Sequence, residues 1–342
     1  MQPTAFYQNH LDQVSRSFAF CIRKLEEPLR MQVSLSYLLC RVLDTIEDSN
    51  WSEKTLQLAH YELFESFIES VPEAETVNRW VSSFPDSIPE SEKNCLKDSF
   101  LLFQDLHAQA PAVYQIIRNT VLRMDHGMRH YSTGELKLKN LKEVNQYCYF
   151  VAGVVGELLT KLFLEYRPSF QANPDLMKDA FHFGLFLQKI NLLKDQLGDE
   201  KEGRFLIPSR ELVMESVREN ARGSLRYLTA LPKEEAGFRT FCAWSLFLGL
   251  ATIPFMQESY SQGSGIKISR DATEALLSEI EKIVSDDQAI LAQGEECLAL
   301  IPKAKTALKM DASSHSQNDE WFHKISGDVL RREELNELGI TG

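Results

Sequence analysis

Two segments of the chain place carboxylates one helical turn apart inside otherwise apolar runs. The first is Tyr37-Leu-Leu-Cys-Arg41-Val-Leu-Asp44-Thr-Ile-Glu47-Asp48. On a helix Tyr37, Arg41, Asp44 and Asp48 fall at i, i+4, i+7 and i+11 and share a face, with Glu47 beside it. Leu35, Leu38, Leu39, Val42, Leu43 and Ile46 cover the remainder. Such a helix is buried almost all round rather than solvated along a wide charged face. The second segment is Gln188-Lys-Ile-Asn191-Leu-Leu-Lys-Asp195-Gln-Leu-Gly-Asp199. Gln188, Asn191, Asp195 and Asp199 follow i, i+3, i+7 and i+11, beside an apolar stripe of Phe186, Ile190, Leu193 and Leu197. Burying like charges costs several kcal/mol per ion unless something neutralises them. Paired hard oxygen donors suit Mg²⁺, which bridges carboxylates to phosphate oxygens. Two such helices facing each other would clamp a diphosphate and stabilise it as a leaving group. Either row alone is what a solvated acidic face also shows. The repetition, with Asn, Gln or Arg on the same stripe, is what favours the clamp.

The rest of the chain reads as helix. Among 342 residues there are only 16 Gly and 12 Pro, and N-G or D-G turns between alternating runs are missing. Helix-bounding loops are expected near Pro28, Pro72, Pro85 to Pro89, Pro111, Arg167 to Pro174, Gly203 to Pro208, Pro232 and Ser261 to Gly265. The expectation is one all-α domain over residues 1–309. A polar tail follows over 310–342, peripheral or partly disordered, with one weak helix from Asp328 to Leu338. Acids outnumber bases 49 to 37, a net charge of −12. That repels nucleic acid and anionic membrane, so an anionic substrate needs local cations.

None of the six cysteines forms a C-x-x-C pair, which fits buried thiols in a reducing compartment. The N-terminus has no basic region followed by an apolar run, so no signal peptide is expected. The apolar stretch Phe241 to Met256 is shorter than the ~20 residues a membrane span needs, and Pro254 interrupts it. It reads as a core helix, and the chain as cytoplasmic. No G-x-G-x-x-G is present, so a Rossmann site is not supported. His126 and His182 lie nearest to the acidic segments but lack metal-ligand spacing.

Several unrelated stretches in order resemble the squalene/phytoene synthases, the head-to-head prenyl synthases of the type I isoprenoid synthase fold. They are Ser15-Arg16-Ser17-Phe18-Ala19, Leu43 to Asp48, Tyr147-Cys-Tyr-Phe-Val-Ala-Gly153, Gly184 to Asn191, Asp195 to Asp199, and Gly203-Arg204. The likeness covers about Ser15 to Met256 and leans toward the squalene-synthase branch. Phe241-Cys242-Ala243 and Ile266-Lys267-Ile268 are similar to stretches of that branch. Trp244-Ser245 replaces the Ile-Pro of the family, and Ser269 stands where a second base is expected, with Arg270 one place later. The C-terminal anchor of eukaryotic members is not seen, which suggests a bacterial-type or truncated protein.

The resemblance implies a monomeric, all-α enzyme around a central cavity. It implies two farnesyl diphosphates, Mg²⁺ on Asp44, Glu47 and Asp48 and on Asp195 and Asp199, and NADPH. One substrate ionises, the second attacks, and proton loss gives presqualene diphosphate. A second ionisation and hydride delivery give squalene, with transient membrane contact for its release.

Arg16, Arg41 and Arg204, with Gln188 and Asn191, are expected at substrate. Arg41 could equally pair with Asp44 or Asp48 within its helix. Tyr147 matches a tyrosine assigned to proton removal or cation handling, and is otherwise a core tyrosine. Tyr37 and Asn191 could hydrogen-bond carboxylates or water in the pocket, and Phe18 and Phe241 are expected around the reacting carbons, where a dry aromatic lining stabilises a carbocation. Phe150, Phe186 and Phe247 lie beside the same motifs as wall or core. Gly153 and Gly156 would allow close helix packing or substrate passage. Arg16, Lys194, Lys267 and Arg270 are the candidates for the cofactor phosphate. The alternatives are a non-reductive relative making presqualene diphosphate, dehydrosqualene or phytoene, a cyclising terpene synthase, and a catalytically silent scaffold.

Overall fold

Apolar residues recur at three- and four-residue spacing along most of the chain, and each such run becomes a helix. The computed structural model describes residues 2–132, 136–262 and 268–301. The side chains of Arg16 and of residues 257–262 are outside that description, as are Lys267 and the expected tail over 310–342. Among the described residues there are fifteen α-helices and one π-helical turn. The first half contains α1 (Thr4–Val14), α2 (Arg16–Ile22), α3 (Leu29–Asp48), α4 (Lys54–Glu69), α5 (Ala74–Ser82), α6 (Glu90–Lys97), α7 (Ser99–His107) and α8 (Pro111–Ser132). The second half contains α9 (Leu141–Cys148), the π-turn (Tyr149–Gly153), α10 (Val154–Tyr166), α11 (Leu176–Lys201), α12 (Arg210–Ala230), α13 (Ala236–Gln262), α14 (Arg270–Ile283) and α15 (Asp287–Ala299). No strand occurs among the described residues, where Lys137 and Phe205 form an isolated bridge.

The expected joints at Pro28, Pro72, Pro85 to Pro89, Arg167 to Pro174, Gly203 to Pro208 and Pro232 fall between helices, and that at Ser261 to Gly265 begins within α13 and runs beyond the described residues. Pro111 opens α8, at the first helical position, where its missing N–H costs nothing. Pro254 does not end α13, which runs on to Gln262. The flanking Ile253 and Met256 are buried, at 1% and 2% exposure, so packing holds the helix through the proline. The apolar stretch is also longer than its sequence suggested. Ala236–Met256 spans 21 residues, and it and Leu141–Tyr166 are long and apolar enough to cross a membrane. Most of each is buried in the bundle, as in core helices.

Helix α11 is the axis of the second half and packs against α10, the π-turn, α12 and α13. Its crossing with α10 is backbone to backbone. A Cβ on Gly156 would lie 2.2 Å from the Ala180 carbonyl oxygen, and one on Gly184 would lie 2.4 Å from that of Ala152. Close packing is therefore the role of Gly156. The π-turn is pinned from inside. Arg123 Nη1 donates to the Tyr149 hydroxyl at 2.7 Å, and that hydroxyl donates to Glu157 at 2.8 Å. Arg123 and Glu157 pair at 3.0 Å and are 1% and 0% exposed. Removing either would strand a buried charge, at a cost of about 3–5 kcal/mol.

Lys189 is a different case, buried without a carboxylate bonded to it. Its ammonium donates to Asn220 Oδ1 at 2.6 Å, and burial pulls its pKa down to about 8. Between that value and the ordinary ~10.4, the unfolded chain binds a proton that the folded chain does not, so stability rises with pH. Denaturant unfolding of wild type and Lys189→Met at pH 7.5 and 9.5 checks this. Wild type should gain on the order of 1–2 kcal/mol relative to the variant at the higher pH. A gap that does not change with pH would contradict the assignment.

Candidate active site

The chain leaves α11 through Gly203, whose φ of +80° lies in the left-handed region glycine favours. That turn returns the Arg204 N–H to the Asp199 carbonyl at 2.8 Å. The bridge at Phe205, bonded to Leu136 and Leu138 at 2.8 and 2.9 Å, holds the turn in place. The Arg204 guanidinium then spans both acidic rows. Nη1 donates to Asp48 at 3.3 Å, and Nη2 lies 2.7 Å from Asp199 and 3.1 Å from Glu202. The carboxylates of α3 and α11 thus converge within the reach of one side chain.

Arg41 serves the other end of the α3 row. It bonds Asp44 at 3.5 Å and also Glu92 of α6. The within-helix pairing is therefore with Asp44, while Asp48 is taken by Arg204. Asp44 is 27% exposed, but into a cavity rather than to bulk water. Burial raises its pKa to about 7, opposed by Arg41 and reinforced by Asp48. Burial, then Asp48 and Asp44, push Glu47 up to about 8, with Arg204 and the Tyr147 hydroxyl opposing. Burial also raises Asp199, against the pull of Arg204. Two arginines therefore do not neutralise this cluster.

The donor set fits a hard divalent cation. Asp44, Glu47, Asp48, Asp195 and Asp199 offer only oxygen. Asp48 and Asp195 stand at the rim, 55% and 58% exposed. Beside the row, the Tyr61 hydroxyl is buried without a hydrogen-bond partner, and Glu47 adds to the burial that holds it protonated.

Below the rows lies an apolar cavity of about 200 Å³. Asp44, Gln188 and Asn191 mark its polar end, and Phe18, Tyr37 and Phe241 line it. The Phe18 and Tyr37 rings sit 5.9 Å apart, and burial raises the Tyr37 hydroxyl to about 12. Phe183 joins this lining without having been anticipated, whereas Phe150, Phe186 and Phe247 are core residues outside it. Tyr147 is 4% exposed and meets Glu47 rather than the cavity lining.

Of the four expected cofactor residues, the side chains of two, Lys194 and Arg270, are described. Lys194 pairs with Asp195 at 3.3 Å and bonds Asn191. Arg270 is 90% exposed and pairs with Glu274 on its own helix. Lys267 and the Arg16 side chain lie outside the described residues. Lys194 also lines a second cavity together with Ser15, Ser17 and Asn191.

Glu92 and Tyr61 escape sequence reasoning because tertiary packing alone brings α6 and α4 to α3. The same holds for Glu65, Asp125 and His126, whose ligand-type atoms lie within 4.8 Å of one another. Arg129 already bonds Glu65 and Asp125 there, at 2.9 and 2.6 Å.

The fold and the two converging rows define a helical bundle with carboxylates gathered at the mouth of an apolar cavity. The squalene/phytoene synthase family model matches residues 11–244, which include both rows, and the chain belongs to that family. Its sequence is 28% identical over 298 residues to the squalene synthase of Eremothecium gossypii, covering 77% of this chain and 64% of that protein. It is 33% identical over 219 residues to the squalene synthase ERG9 of Saccharomyces cerevisiae, covering 60% and 47%. The chain thus spans about half to two thirds of the length of these curated relatives. In fold it is similar to a TcSQS structure with the ligand E5700, at a TM-score of 0.73 and 22% identity, covering 92% of this chain and 96% of that one. A dehydrosqualene synthase structure matches at a TM-score of 0.57 and 18% identity, covering 82% and 95%.

If the rows hold a divalent cation, Mg²⁺ should raise the thermal unfolding midpoint. The rise should grow from pH 6 to pH 8.5, because cations bind the ionised carboxylates. Asp44→Asn and Asp195→Asn should lose most of it. A wild-type midpoint indifferent to Mg²⁺ would contradict the assignment.

Proposed function

We propose that the protein condenses two farnesyl diphosphates head to head to presqualene diphosphate and converts that intermediate to squalene with NADPH. The convergence of two carboxylate rows on one guanidinium, at the mouth of an apolar cavity, carries this reading. Bound on Asp44, Glu47, Asp48, Asp195 and Asp199, Mg²⁺ would supply charge stabilisation for a departing diphosphate.

The chain's own residues do the rest. Arg41 and Arg204, now spread over carboxylates, can turn to phosphate oxygens, which their planar guanidinium groups suit. Gln188 and Asn191 stand where the diphosphate end of a substrate would meet the apolar wall. Phe18, Tyr37, Phe183 and Phe241 offer π-faces to an allylic cation and exclude the water that would quench it. Cyclopropane closure needs a proton removed, and Tyr147, beside Glu47 and outside the cavity lining, would act there through that carboxylate. The hydrocarbon product leaves for a membrane on this reading.

A second reading stops short of reduction, at presqualene diphosphate or dehydrosqualene. The place of Arg270 favours it: this residue is exposed, pairs with Glu274 on its own helix and is not among the residues lining the cavity. A scaffold without catalysis is disfavoured because it has no use for carboxylates whose ionisation burial opposes.

The purified protein, incubated with farnesyl diphosphate and Mg²⁺ with and without NADPH, decides among these. Squalene that forms only with NADPH is the expected result. Dehydrosqualene or presqualene diphosphate in both mixtures would select the second reading, and no turnover would reject both. Asp44→Asn and Asp195→Asn should each lower turnover by at least about 100-fold with the fold intact, roughly the cost of losing one charge-stabilising group. Near-wild-type rates in both would sink the clamp.

A further inference from the structure

The far end of the cavity is closed by a built contact. Helices α11 and α12 run antiparallel. Arg210 at the start of α12 bonds the Leu193 carbonyl at 2.9 Å, while Arg226 near its end bonds Asp179 at 2.7 Å. Tyr227 therefore lies at the end of α11 remote from Asp195, about 24 Å of helix axis away. It nonetheless lines the same cavity as Asp44 and Asn191. Between Asn191 at the polar end and Ala180 at the far end, the cavity follows α11 for about 16 Å.

The Tyr227 ring is fixed on two sides. It packs edge-on against Phe183, with centroids 5.8 Å apart at 70°. Its hydroxyl lies 2.9 Å from Thr160 Oγ1. Thr160 spends its own proton on the Gly156 carbonyl at 2.8 Å, so Tyr227 is the donor. Tyr227 is 3% exposed and Thr160 fully buried. The wall beside them is rigid, because Gly156 abuts the Ala180 backbone with no room for a Cβ. A longer hydrocarbon meets the ring, and the backbone around it has no slack.

We propose that Tyr227, held by Thr160 and Phe183, is the end stop of the hydrocarbon cavity and sets the longest prenyl chain the site accepts. The inference rests on the reading of the site as one for prenyl diphosphates. It assigns to Tyr227 a specificity that the acidic rows cannot provide, since they see only the diphosphate.

The test separates the two. Farnesyl and geranylgeranyl S-thiolodiphosphates, which resist ionisation, are titrated calorimetrically with Mg²⁺ into wild type, Tyr227→Phe and Tyr227→Ala. Wild type should favour the shorter chain. Tyr227→Phe keeps the ring and should keep the preference. Tyr227→Ala removes the stop and should shift the affinity ratio toward the longer chain by at least about tenfold, the scale of a hydrophobic pocket's size discrimination. Should the alanine variant fail to fold, as judged by circular dichroism, Tyr227→Leu replaces it and must shift the ratio in the same direction. An unchanged ratio in a folded variant overturns the proposal, and so does an equal shift in Tyr227→Phe, which would assign the effect to the hydroxyl. If wild type binds neither analogue, the reading of the site itself fails, and the end stop with it.

Discussion

Carboxyl groups at the ends of two helices, more than two arginines can neutralise and with their ionisation opposed by burial, are the constraint on which the site depends. Leu38, Leu39, Val42, Leu43 and Ile46 bury α3 on nearly every side, whereas α11 buries Leu192, Leu193 and Asp199 and leaves Asn191, Lys194 and Asp195 exposed. Burial raises the pKa values of Asp44, Glu47 and Asp199. Arg41 and Arg204 relieve part of the charge. The remainder attracts cations, and packing forms it before any ligand arrives. The net charge of −12 does not bar an anionic substrate from a site that recruits its own positive charge.

The same packing shapes the cavity. Gly156 and Gly184 let α10 and α11 meet along their backbones, and Phe18, Tyr37 and Phe241 then enclose an apolar space beneath the carboxylates. The chemical division is along the axis of α11, with oxygen donors at one end and hydrocarbon at the other. A molecule with a diphosphate head and an isoprenoid tail has that same division.

Legibility in the sequence followed how local each feature is. The two rows, Arg41 and the all-α class were readable because helical periodicity places residues three, four and seven apart without knowledge of the rest. The glycines of Ala152-Gly-Val-Val-Gly signalled close packing, since a glycine inside a helix costs about 1 kcal/mol against alanine. Glu92, Tyr61 and Phe183 were not readable, because each reaches the site by tertiary packing that no motif announces. Tyr227 was invisible for the same reason: its meaning lies in a contact with Thr160, 67 positions away. The length of α13 was misjudged because Pro254 looks like a terminus, and only the buried flanks explain why the helix continues. The cofactor residues were read from resemblance alone, and Lys194 and Arg270 turned out to be paired with neighbouring acids.

The two rows are held to act together as one cation site. Crystals of the protein grown with Mn²⁺ and inorganic diphosphate test this directly, through anomalous scattering at the manganese edge. Metal peaks are predicted on both Asp44, Glu47 and Asp48 and on Asp195 and Asp199, joined by the diphosphate, with Arg204 released from Asp48 and Asp199. Diphosphate bound elsewhere, or both rows free of metal with the Arg204 ion pairs intact, would contradict a shared site.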